Sequence, residues 1–564
     1  PPKAAAAKPK PKATPPATPP KLDFKGSEDV AGMIKLLTKG TAQAQARAAA
    51  AIAAQAAAGP EESKRIVAAG GLQPLLMLLR KEGEVQDHAA RAIMSLADCI
   101  EHQQLITSAG AIPAVIQLLK DAPVAVQDTA AGILGNLAIQ NFANQAAAVA
   151  AGCLPPLVSL LLKGSAPAKE QTCFALWNLA CQNPANQLAI EKAGAIKPLV
   201  TLLSKGSSSL QEEAAGALMN LAAHAENKRA IAAAGAIDSL VAMLKSGGGA
   251  AEQAAGALMN LASNNVDNQR AIMKAEALSP LIAILKDKTS AVRRAREYVA
   301  GALMNLTLRQ PSMQDAVAKA GAIPLLVAML QEPEGLMEEV AGALTNLADS
   351  HEDNQVRVAQ AGAIPPLVKL LGSQTPSERE EAAGTVMNLS ACDANKKKVV
   401  AAGAVKPLIA LLTSGTDAAK EHAAGALANL ANGQEESQTA IGEAGAIGPL
   451  LTLLDSDSDS SVSTGGTAGS VDCSSGGGVR ARAASALLLL SLRKANCEQI
   501  RAGGGVQKLV AALPKDVPEA AGALTNLALQ SAEASASIVA DGALPPLVTM
   551  LSTGSPAVRE PASD

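Results

Sequence analysis

One phrase returns along this chain at a nearly fixed interval: a small residue, usually Gly, then an apolar residue, often Pro, then Leu and a closing apolar pair. With Gly70 as the first anchor, the slot recurs at Gly110, Gly152, Gly194, Gly235, Glu276, Gly321, Gly362, Gly403, Gly445, Gly504 and Gly542, twelve copies in all. Successive anchors lie 38 to 45 residues apart, except for 59 between Gly445 and Gly504. Residues Ala320 to Pro324 and Ala361 to Pro365 both read Ala-Gly-Ala-Ile-Pro. A period of this size means one supersecondary unit stacked on itself, each copy burying its apolar face only against its neighbours. The core then grows in one dimension, and function moves from chemistry toward an extended binding surface.

Composition narrows the interior. Hydrophobic residues make up 48% of the chain but aromatics only 1%, so the core is built from Leu, Ile, Val and Ala. A net charge of -3 gives no footprint for nucleic acid or membrane. Stacking on bases also wants aromatic rings, and the chain has only Phe24, Phe142, Phe174, Trp177 and Tyr298. The seven cysteines form no close pair, which fits reduced thiols in an intracellular protein. No apolar run reaches the ~20 residues of a membrane span.

Residues 1–28 are Pro, Ala and Lys with few large apolar groups, and are expected to be a disordered, mildly basic tail. Residues 29–564 are expected to be the repeat array. An insertion at 455–478, rich in Ser, Asp and Gly and expected to be disordered, explains the one long interval. Within a unit the pattern predicts three helices, for example Asn186 to Ala193, Gly194 to Leu203 and Leu210 to Ala222. Gly194 supplies a turn that a Cβ would strain. The second helix carries Ile196, Leu199, Leu202 and Leu203 at helical spacing, with Pro198 in its first turn. The third ends in Ala-Leu-Met-Asn-Leu-Ala. The chain closes shortly after Leu551, too soon for a full third helix, so a frayed cap or a fragment is expected.

This order resembles the armadillo repeat: a short helix, a Gly-Ala-Ile-Pro-x-Leu-Val helix, then a long helix ending Ala-Leu-x-Asn-Leu-Ala. The resemblance covers roughly residues 29–564, with Val30 to Leu37 as the second helix of a degenerate leading repeat. In flavour it is similar to the repeat regions of plant U-box ligases and to vacuolar armadillo adaptors. The implied fold is all-α, a right-handed armadillo superhelical solenoid of about twelve three-helix repeats.

The third helices carry the candidate site. The Asn near their end occupies Asn136, Asn178, Asn220, Asn260, Asn305, Asn346, Asn388, Asn429 and Asn526, with Ser95 and Ser491 filling the slot in two divergent units. Four residues earlier stands Gly in every one of these units except that of Phe174. Eight residues earlier come Asp128, Glu170, Glu212, Glu252, Glu297, Glu338, Glu380 and Glu421, on the same side of the helix. By resemblance the Asn amides line a concave groove and hold the backbone of an extended peptide. The chemistry suits that role, since an amide offers a donor and an acceptor together. Helices stacked about 8–10 Å apart match every second or third residue of an extended strand, which advances about 3.3–3.6 Å per residue. The acids would favour a basic ligand. Importin-alpha proteins place Trp four residues before the Asn. This chain has Gly there, so stacking of lysine stems between rings is not expected.

Structural roles compete for the same residues. An Asn near a helix end can bond neighbouring backbone, and acids in the first turns gain from the helix dipole. Ser209 to Glu212 and Ser377 to Glu380 match a capping box. Arg293, Arg294 and Arg296 crowd a helix start, where cations oppose the dipole, and are a candidate docking point for an acidic or phosphorylated partner. No phosphate loop, metal spacing or nucleophile elbow is present, and the five His lie in separate units. The expected protein is thus a non-catalytic, monomeric adaptor without cofactors, cytoplasmic or nuclear, binding extended basic segments of other proteins. Alternatives are a structural component of a cytoskeletal or ciliary assembly, and a vacuolar-type adaptor that would need an acylated N-terminus.

Overall fold

The computed structural model describes residues 29–289, 292–332, 337–455, 478–515, 517–530 and 532–553. The expected tail at 1–28 and most of the insertion, 456–477, lie outside them. The described residues form 37 α-helices and no strand. They divide into two units, 1–302 and 303–564, each a solenoid of three-helix repeats.

The repeat around Gly194 shows how sequence sets the local structure. Its helices are Pro184–Lys192, Ile196–Lys205 and Ser208–Leu221. Asn183 caps the first, its side chain accepting from the Asn186 N–H at 3.1 Å. Ser207 caps the third by accepting from the Leu210 N–H at 3.3 Å. Between the first and second helices the chain must turn through the left-handed region. Gly194 does so at φ +84°, as do the other ten anchor glycines at +70° to +87°. Glu276 occupies the same turn at +58° despite its side chain. Among the described residues the leading repeat shows a second and a third helix, Val30–Lys39 and Ala42–Ala58.

The second helices bury one apolar face throughout. Leu157, Leu199, Leu240, Leu281, Leu326, Leu367, Leu408, Leu450 and Leu509 are all fully buried at one register. Third helices stack on third helices of adjacent repeats, and their Ala-rich sides allow the close approach. The last second helix, Leu544–Thr553, leaves Leu544, Val548 and Leu551 exposed.

Candidate functional site

The third-helix Asn amides are not displayed to solvent in the way the ladder suggests. Asn136, Asn178, Asn220, Asn260 and Asn388 are at most 5% exposed. Asn305, Asn346, Asn429 and Asn526 keep partial exposure. Each amide whose bond is resolved across repeats donates backward, to the carbonyl of the residue just before the slot of the preceding repeat. In the first unit Asn136 Nδ2 reaches Met94 O at 3.1 Å, Asn220 reaches Trp177 O at 2.9 Å and Asn260 reaches Met219 O at 2.8 Å. In the second unit Asn346 reaches Met304 O at 2.8 Å, Asn388 reaches Thr345 O at 2.9 Å and Asn429 reaches Met387 O at 2.9 Å. The ladder is therefore a set of inter-repeat staples. Each contributes about 0.5–1.5 kcal/mol net.

The same register corrects one position. Asn526 Nδ2 donates to Leu488 O at 3.3 Å, so the slot in helix Val479–Leu490 belongs to Leu489, two residues before Ser491. Ser491 instead offers its hydroxyl oxygen to the Asn526 amide at 3.0 Å.

The residue before each slot explains the glycines. A Cβ placed on Gly216 would lie 2.3 Å from the Trp177 ring, and one on Gly132, Gly256, Gly342 or Gly425 would lie 2.4–2.8 Å from the sulfur of Met94, Met219, Met304 or Met387. Each is the residue before the slot of the preceding repeat, seated over the next repeat's mid-helix glycine. One pair is exchanged: Gly135 precedes its slot, and Phe174 replaces the glycine and fills the gap, its ring 2.4 Å from where a Gly135 Cβ would be. With that ring against Gly135, Asn178 turns its amide to Phe174 O of its own helix, 3.1 Å away. Both large aromatics are thus core residues, 1% exposed.

From the other side the notch receives the residue seven before the next slot. Gln171 lies against Gly132, Tyr298 against Gly256, Glu381 against Gly342 and His422 against Gly384. This column varies in residue type along the chain, and most of its members are enclosed. Glu213 is fully buried and Glu339 is 5% exposed.

The eight acids stay partly exposed, and several reach forward to the start of the next third helix. Glu170 accepts from Ser209, Glu338 from Ser377 at 2.9 Å and Glu380 from Thr416 at 2.7 Å. Ser209 and Ser377 therefore serve the preceding repeat's acid. The helix caps are Ser207 and Thr375, and the expected capping boxes do not form. Glu252 pairs with Arg294 at 3.6 Å, and Arg293 with Glu297 at 3.5 Å. Arg296 is buried. Arg293 and Arg294 are thus each paired with a carboxylate of the acid column. Burial pushes the pKa values of Asp128, Glu252 and Glu421 up from their usual carboxylate values.

A second set of amides sits on the first helices. Asn144 Nδ2 donates to Leu137 O at 2.9 Å, Asn186 to Leu179 O at 2.9 Å and Asn354 to Leu347 O at 2.9 Å. The next residue does likewise: Gln145 Nε2 donates to Ala138 O at 3.1 Å and to Asn178 O of the following repeat at 3.0 Å. These bonds satisfy carbonyls that a helix end leaves open. The recurring Asn-Gln dipeptide, at 144–145, 186–187, 268–269 and 354–355, is the sequence signal for them. Lys228 and Lys396 take the Gln position and donate to Ser263 O and Asn432 O.

Of the histidines, His224 and His351 cap first helices. No group of His, Cys, Asp and Glu among the described residues has metal-holding geometry. No single helix among them is long and apolar enough to cross a membrane.

Residues 99–139, 141–181, 183–223, 310–349, 351–391 and 392–432 match the family model described as Armadillo/beta-catenin-like repeat. A comparison with curated proteins gives no match. Among solved structures, the chain is similar to an engineered protein from a structural genomics programme. That likeness has 31% identity and a TM-score of 0.62, and it covers 74% of this chain and 98% of the other.

Proposed function

This chain belongs to the armadillo-repeat family, and from that premise we propose that it is a non-catalytic adaptor binding extended, basic segments of other proteins along its third-helix faces. Repeats of this family mediate protein–protein interaction. The observation that carries the finer reading is the acid column. Eight consecutive repeats keep a partly exposed carboxylate at one register. Where Ser209, Ser377 or Thr416 holds it, one hydroxyl takes one of its acceptor sites. A carboxylate has about four such sites, so one hydroxyl does not saturate it and can fix its orientation toward a lysine or arginine. Backbone contacts fall to Asn305, Asn346, Asn429 and Asn526, the amides with access to solvent. Asn346, Asn429 and Asn526 also staple adjacent repeats, so drawing them to a ligand would cost an inter-repeat bond, as it would for the buried Asn136, Asn220, Asn260 and Asn388.

The test is fluorescence anisotropy with a labelled twelve-residue alternating Lys-Ala peptide. Glu170→Gln with Glu212→Gln, and separately Glu338→Gln with Glu380→Gln, should each weaken binding roughly threefold to twentyfold, at the scale of two exposed charge contacts. Added salt should weaken the wild type in the same direction. Glu352→Gln with Asp353→Asn makes the same charge change on an exposed first helix and should leave affinity unaltered. Equal losses in all three pairs would mean bulk charge, and no loss in the third-helix pairs would remove the acids from the site.

A further inference from the structure

Across the eight repeats of the acid column, the enclosed column holds acids at Glu339 and Glu381 in the second unit, as at Glu213 in the first, where the other equivalents are Thr, Gln, Tyr or His. Glu381, on helix Pro376–Ala391, sits in the notch of Gly342 on helix Met337–Ala348: a Cβ on Gly342 would come within 3.3 Å of the Glu381 carboxyl. Gln171 fills the matching notch of Gly132 and His422 that of Gly384. The residue keeps a partly exposed edge, but its carboxyl is packed in.

Its surroundings offer no cation. From the preceding third helix Glu338 and Thr345 face it, and Glu380 adjoins it on its own helix. Thr345 and Thr385 share a 2.7 Å hydroxyl hydrogen bond, and both hydroxyl oxygens lie within reach of Glu381 O, at 3.1 and 2.9 Å. On the following third helix, Asp417–Ala431, His422 places Nδ1 3.2 Å from Glu380 O, and Arg482 lies further along, beside His422 and Glu421.

We propose that this two-helix contact is a proton-sensitive joint: a neutral Glu381 carboxyl closes Met337–Ala348 on Pro376–Ala391, and its ionisation loosens the pair. Enclosure, reinforced by the charges of Glu380 and Glu338, raises the Glu381 carboxyl from 4.5 to about 7. Burial pushes His422 the other way, favouring its neutral form beside the joint. The sign follows from linkage. The unfolded chain releases this proton near 4.5 and the folded chain near 7, so closure weakens as pH rises through that interval and levels off above it.

The experiment compares the full chain with Glu381→Gln, a change that Gln171 already accommodates in an equivalent notch. Hydrogen-exchange protection of residues 337–391, corrected for the intrinsic pH dependence, is measured at pH 5, 6, 7 and 8 beside urea unfolding. In the wild type, protection of the joint should fall on the order of a hundredfold between pH 5 and 8. The variant should lack that fall, and its advantage in urea midpoint should grow up to pH 7 and then hold. A His422→Gln control should keep the wild-type dependence. A constant difference between wild type and Glu381→Gln at every pH would overturn the proposal, as would loss of the dependence in His422→Gln.

Discussion

A single residue type sets the turn on which each repeat depends, and one repeat departs from it. Glu276 holds φ +58° where eleven other anchors are glycine. A side chain in the left-handed region costs about 1–2 kcal/mol. Glu276→Gly should therefore stabilise the chain by about 1 kcal/mol, read as a higher urea midpoint, and Gly235→Ala at φ +83° should lower it by a similar amount. An unchanged midpoint in both would mean that the turn relaxes around the Cβ. These anchors were fully legible in the sequence, because the left-handed turn admits few residue types and so repeats visibly. The roles of the mid-helix glycines and of Trp177 were not. Their meaning is a complementarity between one repeat and the next, as in the Gly135–Phe174 exchange, and a column read within one repeat does not contain it.

Helix on helix, the account rests on knobs over notches and on amides over open carbonyls. Gly216→Ala should cost about 1–3 kcal/mol by forcing its Cβ into the Trp177 ring. Trp177→Ala should cost about 3–5 kcal/mol. The double variant should lose less than the sum, because the smaller knob makes room for the methyl. Additive losses in a double-mutant cycle would show that the two residues do not share the contact. The first helices make a parallel case. Gln145→Ala removes a buried amide donor shared by the Ala138 and Asn178 carbonyls and should cost about 1–3 kcal/mol. Gln145→Lys should recover part of it, since Lys228 and Lys396 donate from that position to Ser263 O and Asn432 O, the equivalents of Cys181 O, which Gln145 Nε2 reaches at 3.4 Å. If the lysine variant were no better than alanine, the stability of the site would not come from that donor. Helix boundaries were nearly readable, with Ser208–Leu221 found where Leu210 to Ala222 is expected. The caps were not: a Ser three residues before a Glu reads as a capping box, yet Ser209 and Ser377 serve an acid one repeat away.

Across the molecule both units repeat one arrangement: staples and glycine notches beneath, carboxylates along the surface. The period and the resemblance carried the fold, because a repeat must satisfy the same packing at every copy. The candidate site was half legible. The acid column is where the sequence places it, while most of the Asn column turns inward, since a buried amide gains more from a carbonyl 2.8–3.1 Å away than from solvent access. The central claim is that third-helix faces receive the ligand, and methionine methyl NMR addresses it directly. The chain has 13 Met. Met304 and Met387 lie on third helices beneath the acid column, and Met77 is 67% exposed on the second helix Leu72–Leu78. On titration with the Lys-Ala peptide, the methyl signals of Met304 and Met387 should move with saturation while that of Met77 stays fixed. Movement of Met77 with still signals from Met304 and Met387 would contradict the account and put the binding surface on the second helices.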